Sequence, residues 1–423
     1  MPTSAAPMNW AGNITFGAAR VHHPASVAEL RRIVGSAERV RALGTGHSFN
    51  RIADTSGDLI RLDRLPHRVE IDPDGSRVTV AAGMRYAQVA EALQAAGYAL
   101  ANLASLPHIT VAGACATGTH GSGNAQRSLA AAVAGLEIVG PEGDLTRLSR
   151  EADGDRLAGA VVSLGGLGIV TGVTLDIEPT YEVAQWVYDG LPLDRLADRF
   201  DEVSGAAYSV SVFTDWHSGD GVVWRKCRAD RPGPPRPDQP WLGARPADGP
   251  RHPVPGMPPA HCTQQAGVPG PWHERLPHFR PDFTPSSGEE LQSELILPRD
   301  AAPEAFAALR RLGSRIAPVV LVSEVRTIAA DDLWLSPAYG RDSVALHFTW
   351  APDRAAVLKV VAAMEEELLP LGARPHWGKL TAAAPGDVVA GYERAADFGR
   401  LLHEYDPAGK FRNPYLDRLF PVG

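Results

Sequence analysis

Cysteine is scarce in this chain. Only Cys115, Cys227 and Cys262 occur in 423 residues, far apart, with no CxxC pair. That spacing argues against a disulfide framework and against haem attachment, and a reducing compartment is the expectation. No set of His, Cys and carboxylates has metal-ligand spacing, so no metal is expected. No apolar run is long enough to cross a bilayer, and Met1 to Trp10 holds no basic stretch followed by an apolar one. The expected location is cytoplasmic, without a membrane partner. A basic excess is missing as well: 41 Lys and Arg against 49 Asp and Glu leave a net charge of −8, with signs mixed along the chain. A nucleic-acid surface is therefore not expected. No internal repeat or low-complexity block is evident. The 44% of hydrophobic residues suffices for a substantial core, and the length fits three domain-sized units or two larger ones.

Glycine is concentrated in two places. Val40 to Leu43 reads as a short buried strand that runs into Gly44-Thr45-Gly46-His47-Ser48-Phe49. Gly44 and Gly46 permit a tight turn whose successive N–H groups suit a phosphate. No Gly-Lys-Ser/Thr follows, so this is no Walker A loop, and no third glycine opens a helix, so the dinucleotide fingerprint fails. Alone, the turn fits an ordinary glycine loop with a surface histidine as well as a phosphate-gripping loop that holds a nucleophilic imidazole. The second place runs from Ser105 to Gly123, with Gly113, Gly118, Gly121 and Gly123 set among small residues that let backbone lie flat against a ligand. Two such loops imply two walls around one extended, phosphate-bearing cofactor.

Around them the chain alternates strands and helices. Ser26 to Glu29 reads as a capping box ahead of a helix with Leu30, Ile33 and Val34 on one face. Strands are expected at Leu59–Leu62, and at Val69–Ile71 and Val78–Val80 across an Asp74-Gly75 hairpin turn. A helix from Tyr86 to Ala96 places Tyr86, Val89, Ala90 and Leu93 together, with Gly97 at its C′ position. Strand signals recur at Leu136–Val139 and Leu145–Leu148, and an apolar Gly-rich segment covers Leu164–Ile177. Beyond Pro179 the strand candidates are Tyr181–Tyr188, Tyr208–Phe213, Val222–Lys226, Glu290–Leu297, Val319–Ile328, Val344–Trp350 and His376–Leu380. Helices are expected at Pro303–Leu312 and Ala355–Leu368. Residues 230–285 are rich in proline, and Trp241, Trp272, Phe279 and Phe283 make an ordered surface excursion a better reading than a disordered linker. Strands with helices on one face describe an antiparallel α+β unit.

Residues two apart on a strand share a face. Glu324 and Arg326 therefore point together from an apolar strand, where they need either each other or a polar ligand. His347 with Thr349, and Trp377 with Lys379, repeat the arrangement on two further strands. Three strands offering such groups describe a wall that suits a polyhydroxylated ligand, whose hydroxyls both donate and accept. His22, His23, His108, His261, His273 and His278 show no such pattern and read as structural or surface residues.

The Gly-Thr-Gly-His-Ser-Phe loop and the Val-Ala-Gly-Ala-Cys-Ala-Thr-Gly-Thr-His-Gly loop resemble the vanillyl-alcohol oxidase family of FAD enzymes. Asn9-Trp10-Ala11-Gly12-Asn13, Ala104-Ser105-Leu106-Pro107-His108 and Arg374-Pro375-His376-Trp377-Gly378-Lys379 are similar to its alditol-oxidising branch, and the likeness runs over essentially the whole chain. It implies a two-domain α+β fold: an FAD-binding domain at 1–180, completed by 382–423, and a cap at 181–381 that binds substrate. It implies FAD bonded covalently through His47. The cofactor positions it carries over are Arg41, Ala42, Leu43, Gly44, Thr45, Gly46, His47, Ser48, Ser105, Thr110, Gly113, Ala114, Cys115, Ala116, Thr117, Gly118, His120, Gly168, Ile169, Val170 and His376. Ser105, Glu324, Arg326, Thr349 and Lys379 match polyol-binding positions. His347 is expected to accept the hydroxyl proton, with Arg326 or Lys379 stabilising negative charge. Ala104 matches a position linked to oxygen access. The implied reaction is oxidation of the C1 alcohol of alditols such as xylitol or sorbitol, with O2 giving hydrogen peroxide, in a monomer. A sugar aldonolactone oxidase or dehydrogenase, or a non-catalytic FAD- and sugar-binding protein, are the alternatives.

Overall fold

The computed structural model describes residues 6–231, 239–282 and 290–421. Short apolar runs near the N-terminus form a parallel three-stranded sheet, in which Asp58–Ile60 lies between Arg20–His22 and Val40–Ala42. The helix before it, Val27–Ser36, buries Leu30 and Val34. Ser26 Oγ accepts from Glu29 N as expected, but the Glu29 carboxylate accepts from Ala25 N, one residue ahead of the cap position it was expected to reach. The Asp74-Gly75 hairpin forms with Val69 opposite Val80 and Ile71 opposite Val78, and Gly75 takes φ +69°. Its strands lead a five-stranded antiparallel sheet that continues through Ile169–Asp176, Val133–Val139 and Leu145–Ser149. Helix Tyr86–Ala95 buries the four residues expected, and Gly97 follows at φ +84°.

The second glycine-rich stretch is not wholly loop. Val111–Ala116 forms a short helix flanked by turns. Helix Arg150–Val161, which kinks at Gly154, had no clear periodic signal in the sequence.

The larger sheet has nine strands among the described residues. Its central part is Glu182–Pro192, Asp220–Arg228, Ser209–Thr214, Val320–Ile328, Ser343–Trp350 and Leu291–Pro298, in that spatial order and antiparallel. Helices Ala302–Ile316 and Arg354–Leu368 cover one face of it. The first buries Phe306, Leu309 and Ile316, each worth ~1.5–3 kcal/mol of apolar burial. The opposite face is left to the cavity described below.

The proline-rich excursion follows the surface over 239–282. Arg245–Pro246 and Gly270–Pro271 pair with the Glu182–Pro192 strand, Trp272 is buried, and Trp241 and Phe279 are half-buried. Phe283 lies outside the described residues. All three cysteines are free and buried.

The strand expected at His376–Leu380 does not form. Only Arg374–Pro375 is strand, pairing with Leu295 and Ile296, and the chain then turns, with Lys379 N donating to His376 O. Asn50 of the first glycine loop donates to Trp377 O and Lys379 O, and Phe49 N donates to Gly378 O. These tertiary bonds take the carbonyls that a strand would have used. Helices Pro385–Ala390, Ala395–Tyr405 and Pro414–Leu419 carry the chain back, where Phe398, Leu402 and Leu416 join the core beneath the five-stranded sheet.

Candidate active site

A cavity of about 1020 Å³ lies between the two glycine loops and the uncovered face of the large sheet. Small-molecule pockets commonly reach ~300–1,000 Å³, so this one has room for a dinucleotide-sized group and a second small molecule. Arg41, Ala42, Leu43, Gly44, Thr45, Gly46, His47 and Ser48 line it from the first loop. Ser105, Thr110, Gly113, Ala114, Ala116, Thr117 and His120 line it from the second, with Gly168, Val170 and His376. Glu324, Arg326, His347, Thr349 and Lys379 line its other end, and Ala104 lies between.

Cys115, Gly118 and Ile169 are not among the lining residues, against expectation. Strand alternation turns Ile169 into a core with Leu30 and Val34 while Gly168 and Val170 face the cavity. Cys115 follows Val111 by one helical turn, on the core side, with Sγ 3.5 Å from the Tyr86 hydroxyl. A Cβ on Gly118 would meet Pro337 at 3.0 Å. Arg41 lines the cavity, yet its guanidinium is spent on carbonyls. It donates to Gly165 O, Phe411 O, Leu164 O and Ile52 O, and so ties the strand to the C-terminal return.

The polar wall stands on three adjacent strands, one of them expected as a strand but not as part of the wall. Glu324 is opposite His347 and Val322 opposite Thr349, which puts Glu324, Arg326, His347 and Thr349 on one surface. On the far side of that hairpin, Glu294 is also opposite His347 and Gln292 opposite Thr349. The third strand is thus Leu291–Pro298, with Gln292 and Glu294, in place of the expected Trp377 and Lys379 pair. The same two-residue alternation that marked Glu324 and Arg326 was present at Gln292 and Glu294. Trp377 turns away, is buried, and donates its indole N–H to Leu335 O. Lys379 reaches the wall from the turn.

Glu294, only 2% exposed, is the hub. Its Oε1 accepts from Arg326 Nη2 at 2.6 Å and lies 3.1 Å from His120 Nε2, and its Oε2 accepts from Lys379 Nζ at 2.8 Å. Burial by itself would raise its pKa, but Lys379 and Arg326 hold the carboxyl well below the usual range. Lys379 Nζ also stands 2.6 Å from His347 Nδ1, and His347 Nε2 is 3.3 Å from Thr349 Oγ1. Burial, then Lys379, pushes His347 well below the ordinary imidazole value, so its ring is neutral at pH 7. Burial lowers Lys379 as well. His376 is pushed down to about 3, chiefly by burial, and its Nδ1 accepts from Gly378 N at 3.1 Å. Removing one partner from such a buried network costs about 3–5 kcal/mol, because a charge is left stranded.

His278 also belongs here, contrary to the sequence reading. It lines the cavity and its Nε2 is 2.7 Å from Glu324 Oε1. It sits in the proline-rich excursion, where no periodicity marks a face, so local pattern had no means of placing it.

The loop end fits FAD. A Cβ on Gly44 would overlap Thr110 Oγ1, so only glycine lets the two loops meet as they do. Small residues such as Ala42, Ala112, Gly113 and Gly165 leave a slot suited to flat rings. His47 projects into the same space. Its Nδ1 lies 2.9 Å from Thr45 Oγ1 and its ring stacks on Trp10 at 4.9 Å. Burial, helped by His108, pushes its pKa down to about 4, so the imidazole keeps a free electron pair at neutral pH.

Comparison with known proteins agrees. Residues 18–149 match the FAD binding domain model and 289–419 the D-arabinono-1,4-lactone oxidase model. The chain is 52% identical over 421 residues to an alditol oxidase from a Streptomyces species, covering 98% of this chain and 99% of that one. It is 27% identical to an L-gulono-1,4-lactone dehydrogenase from Mycobacterium tuberculosis over 97% of this chain and 98% of that one. In fold it is similar to cholesterol oxidase from B. sterolicum, with a TM-score of 0.79 at 14% identity over 98% of this chain and 96% of that one. Among the described residues no helix is long and apolar enough to cross a membrane. The chain belongs to the alditol oxidase family of vanillyl-alcohol oxidase-type FAD oxidoreductases.

Proposed function

We propose that the protein oxidises the terminal carbinol of an open-chain alditol such as xylitol or sorbitol to the aldose, with O2 as the final acceptor and hydrogen peroxide as the second product. The observation that carries this is the three-stranded wall, where Glu324, Arg326, Thr349 and Gln292 offer donors and acceptors beside the His347–Lys379 pair. Ser105 completes the set from the loop side. FAD, when held between the two glycine loops, would supply the hydride acceptor and the route of electrons to oxygen.

The hydroxyl proton goes to the His347–Lys379 pair. His347 Nδ1 faces Lys379 Nζ, so Nε2 can accept only when the ring hydrogen is on Nδ1 and Lys379 is neutral. Burial shifts Lys379 toward that form. A proton then enters at Nε2 while one passes from Nδ1 to Nζ. Glu294 holds the resulting ammonium, and Arg326 steadies negative charge on the carbinol oxygen. Ala104, small and lining the cavity, is read as the side from which oxygen approaches.

His47 is the proposed point of a covalent bond to the flavin 8α-methyl, supported by its neutral, held ring. Residues 1–180 with 382–423 are read as the FAD-binding domain and 181–381 as the cap, in keeping with the core that Phe398, Leu402 and Leu416 share with the five-stranded sheet. The match of 289–419 to a lactone oxidase model favours an aldonolactone as the second reading. A panel of alditols and aldonolactones with peroxide detection tests both. Xylitol or sorbitol should reduce the flavin fastest and yield one peroxide per turnover. Faster reduction by a lactone would replace the substrate, and reoxidation by dyes but not by air would make the enzyme a dehydrogenase.

A further inference from the structure

Lys226 is 1% exposed, inside strand Asp220–Arg228, and the reaction proposed above gives it no part. Its Nζ donates to Leu276 O, to Pro277 O at 3.0 Å and to His278 Nδ1 at 3.0 Å. Three acceptors meet the three N–H bonds of one ammonium. Glu324, held low as a carboxylate, can only accept, so the hydrogen of a neutral His278 ring sits on Nε2, 2.7 Å from Oε1, and Nδ1 is left to accept from Lys226.

The ring has little freedom to turn. It stands edge-to-face against Phe213 at 5.4 Å and Trp224 at 5.1 Å. Its backbone is held on both sides: His278 N donates to Ser105 O at 3.0 Å, and Thr263 N donates to His278 O at 2.9 Å. Glu324 Oε2 is left 3.5 Å from Arg326 Nε, facing the cavity. Burial pushes Lys226 down to about 7, the cost of an amine with no carboxylate in contact, and a positioning task accounts for keeping one here.

We infer that Lys226 and His278 are positioning residues: Lys226 sets the His278 tautomer, and His278 holds one oxygen of Glu324 so that the other meets a substrate hydroxyl beside the reacting carbinol. The inference rests on the assignment of Glu324 to substrate binding. It makes affinity for the polyol depend on a lysine that never touches it. His278 is pushed down to about 4 by burial, then by Lys226, in keeping with a neutral ring that donates to Glu324.

The test uses the FAD-loaded enzyme and xylitol. Lys226→Met and His278→Leu should each raise KM about tenfold or more, the effect of one lost charge-assisted hydrogen bond, while kcat and the flavin spectrum change little. His278→Gln, which can still accept from Lys226 and donate to Glu324, should restore most of the affinity. In a Glu324→Ala background, which removes the accepting oxygens, the same two changes should add nothing further, since coupled residues are not additive. Undiminished effects in that background, or an unchanged KM in both variants, would overturn the relay. An unchanged KM in Glu324→Ala alone would overturn the Glu324 assignment with it. Should Lys226→Met fail to fold, the contrast between His278→Leu and His278→Gln decides.

Discussion

At the scale of single residues, His47 and Glu294 show how far local pattern reaches. His47 stood out because it interrupts a glycine turn, and the structure adds what holds it: Thr45 at one nitrogen and Trp10 across the ring face. If it carries the flavin, acid-precipitated enzyme should stay yellow. His47→Ala should leave the precipitate colourless while the native variant keeps part of its FAD, because the loops that grip the cofactor are intact. Colour lost to the supernatant from the unmodified enzyme would sink the covalent assignment. Glu294 was missed though its spacing from Gln292 was visible, because a carboxylate in one apolar strand looks the same whether its partners are solvent or a buried guanidinium, amine and imidazole.

At the scale of elements, the two glycine-bearing segments act as one device. Gly44 and Gly113 both face Thr110 Oγ1, and a Cβ on either would come closer to it than real contacts allow. Gly44→Ala should therefore force the loops apart and lower bound FAD sharply, measured as the 450 nm absorbance per protein (about that wavelength for oxidised flavin). Thr110→Ala in that background removes the colliding oxygen but leaves Cβ at 3.3 Å, so it should restore FAD only in part. Equal FAD content in Gly44→Ala and the unmodified protein would show that the loops do not need this approach. The turn at His376–Leu380 belongs to the same scale. Its residues alternate like a strand, but Phe49 and Asn50 bind its carbonyls, and that bond partner is distant in sequence.

At the scale of the whole molecule, buried histidines tie stability to pH. His278 and His376 have folded pKa values of about 4 and about 3, below the ordinary ~6.5 of an unfolded chain. Between those values the unfolded state binds more protons, so the contribution of these two rings is full above ~6.5 and is lost as pH drops below it. The loss should be on the order of 1 kcal/mol per histidine per pH unit. Glu294 and Glu324, both held low, add their losses only below the ordinary carboxylate range of ~4.3. Urea midpoints of the FAD-loaded enzyme should be lower at about pH 5.5 than at about pH 6.5, a window in which these histidines lead. A midpoint unchanged at the lower pH would contradict the buried, neutral rings.

Sequence alone determined the features that local chemistry dictates. Alternation placed Glu324 beside Arg326 and His347 beside Thr349, helical spacing grouped Tyr86 with Leu93, and glycine spacing marked both cofactor loops. Each depends on backbone geometry within a few residues. Tertiary structure alone decided which strands become neighbours, and with that the pairing of Glu294 with Lys379, Arg326 and His120. It also carried His278 from a proline-rich surface segment to Glu324 and fastened it there with Lys226. Those contacts join residues far apart in the chain, and no periodicity encodes them, because burial and hydrogen bonding across the fold select them.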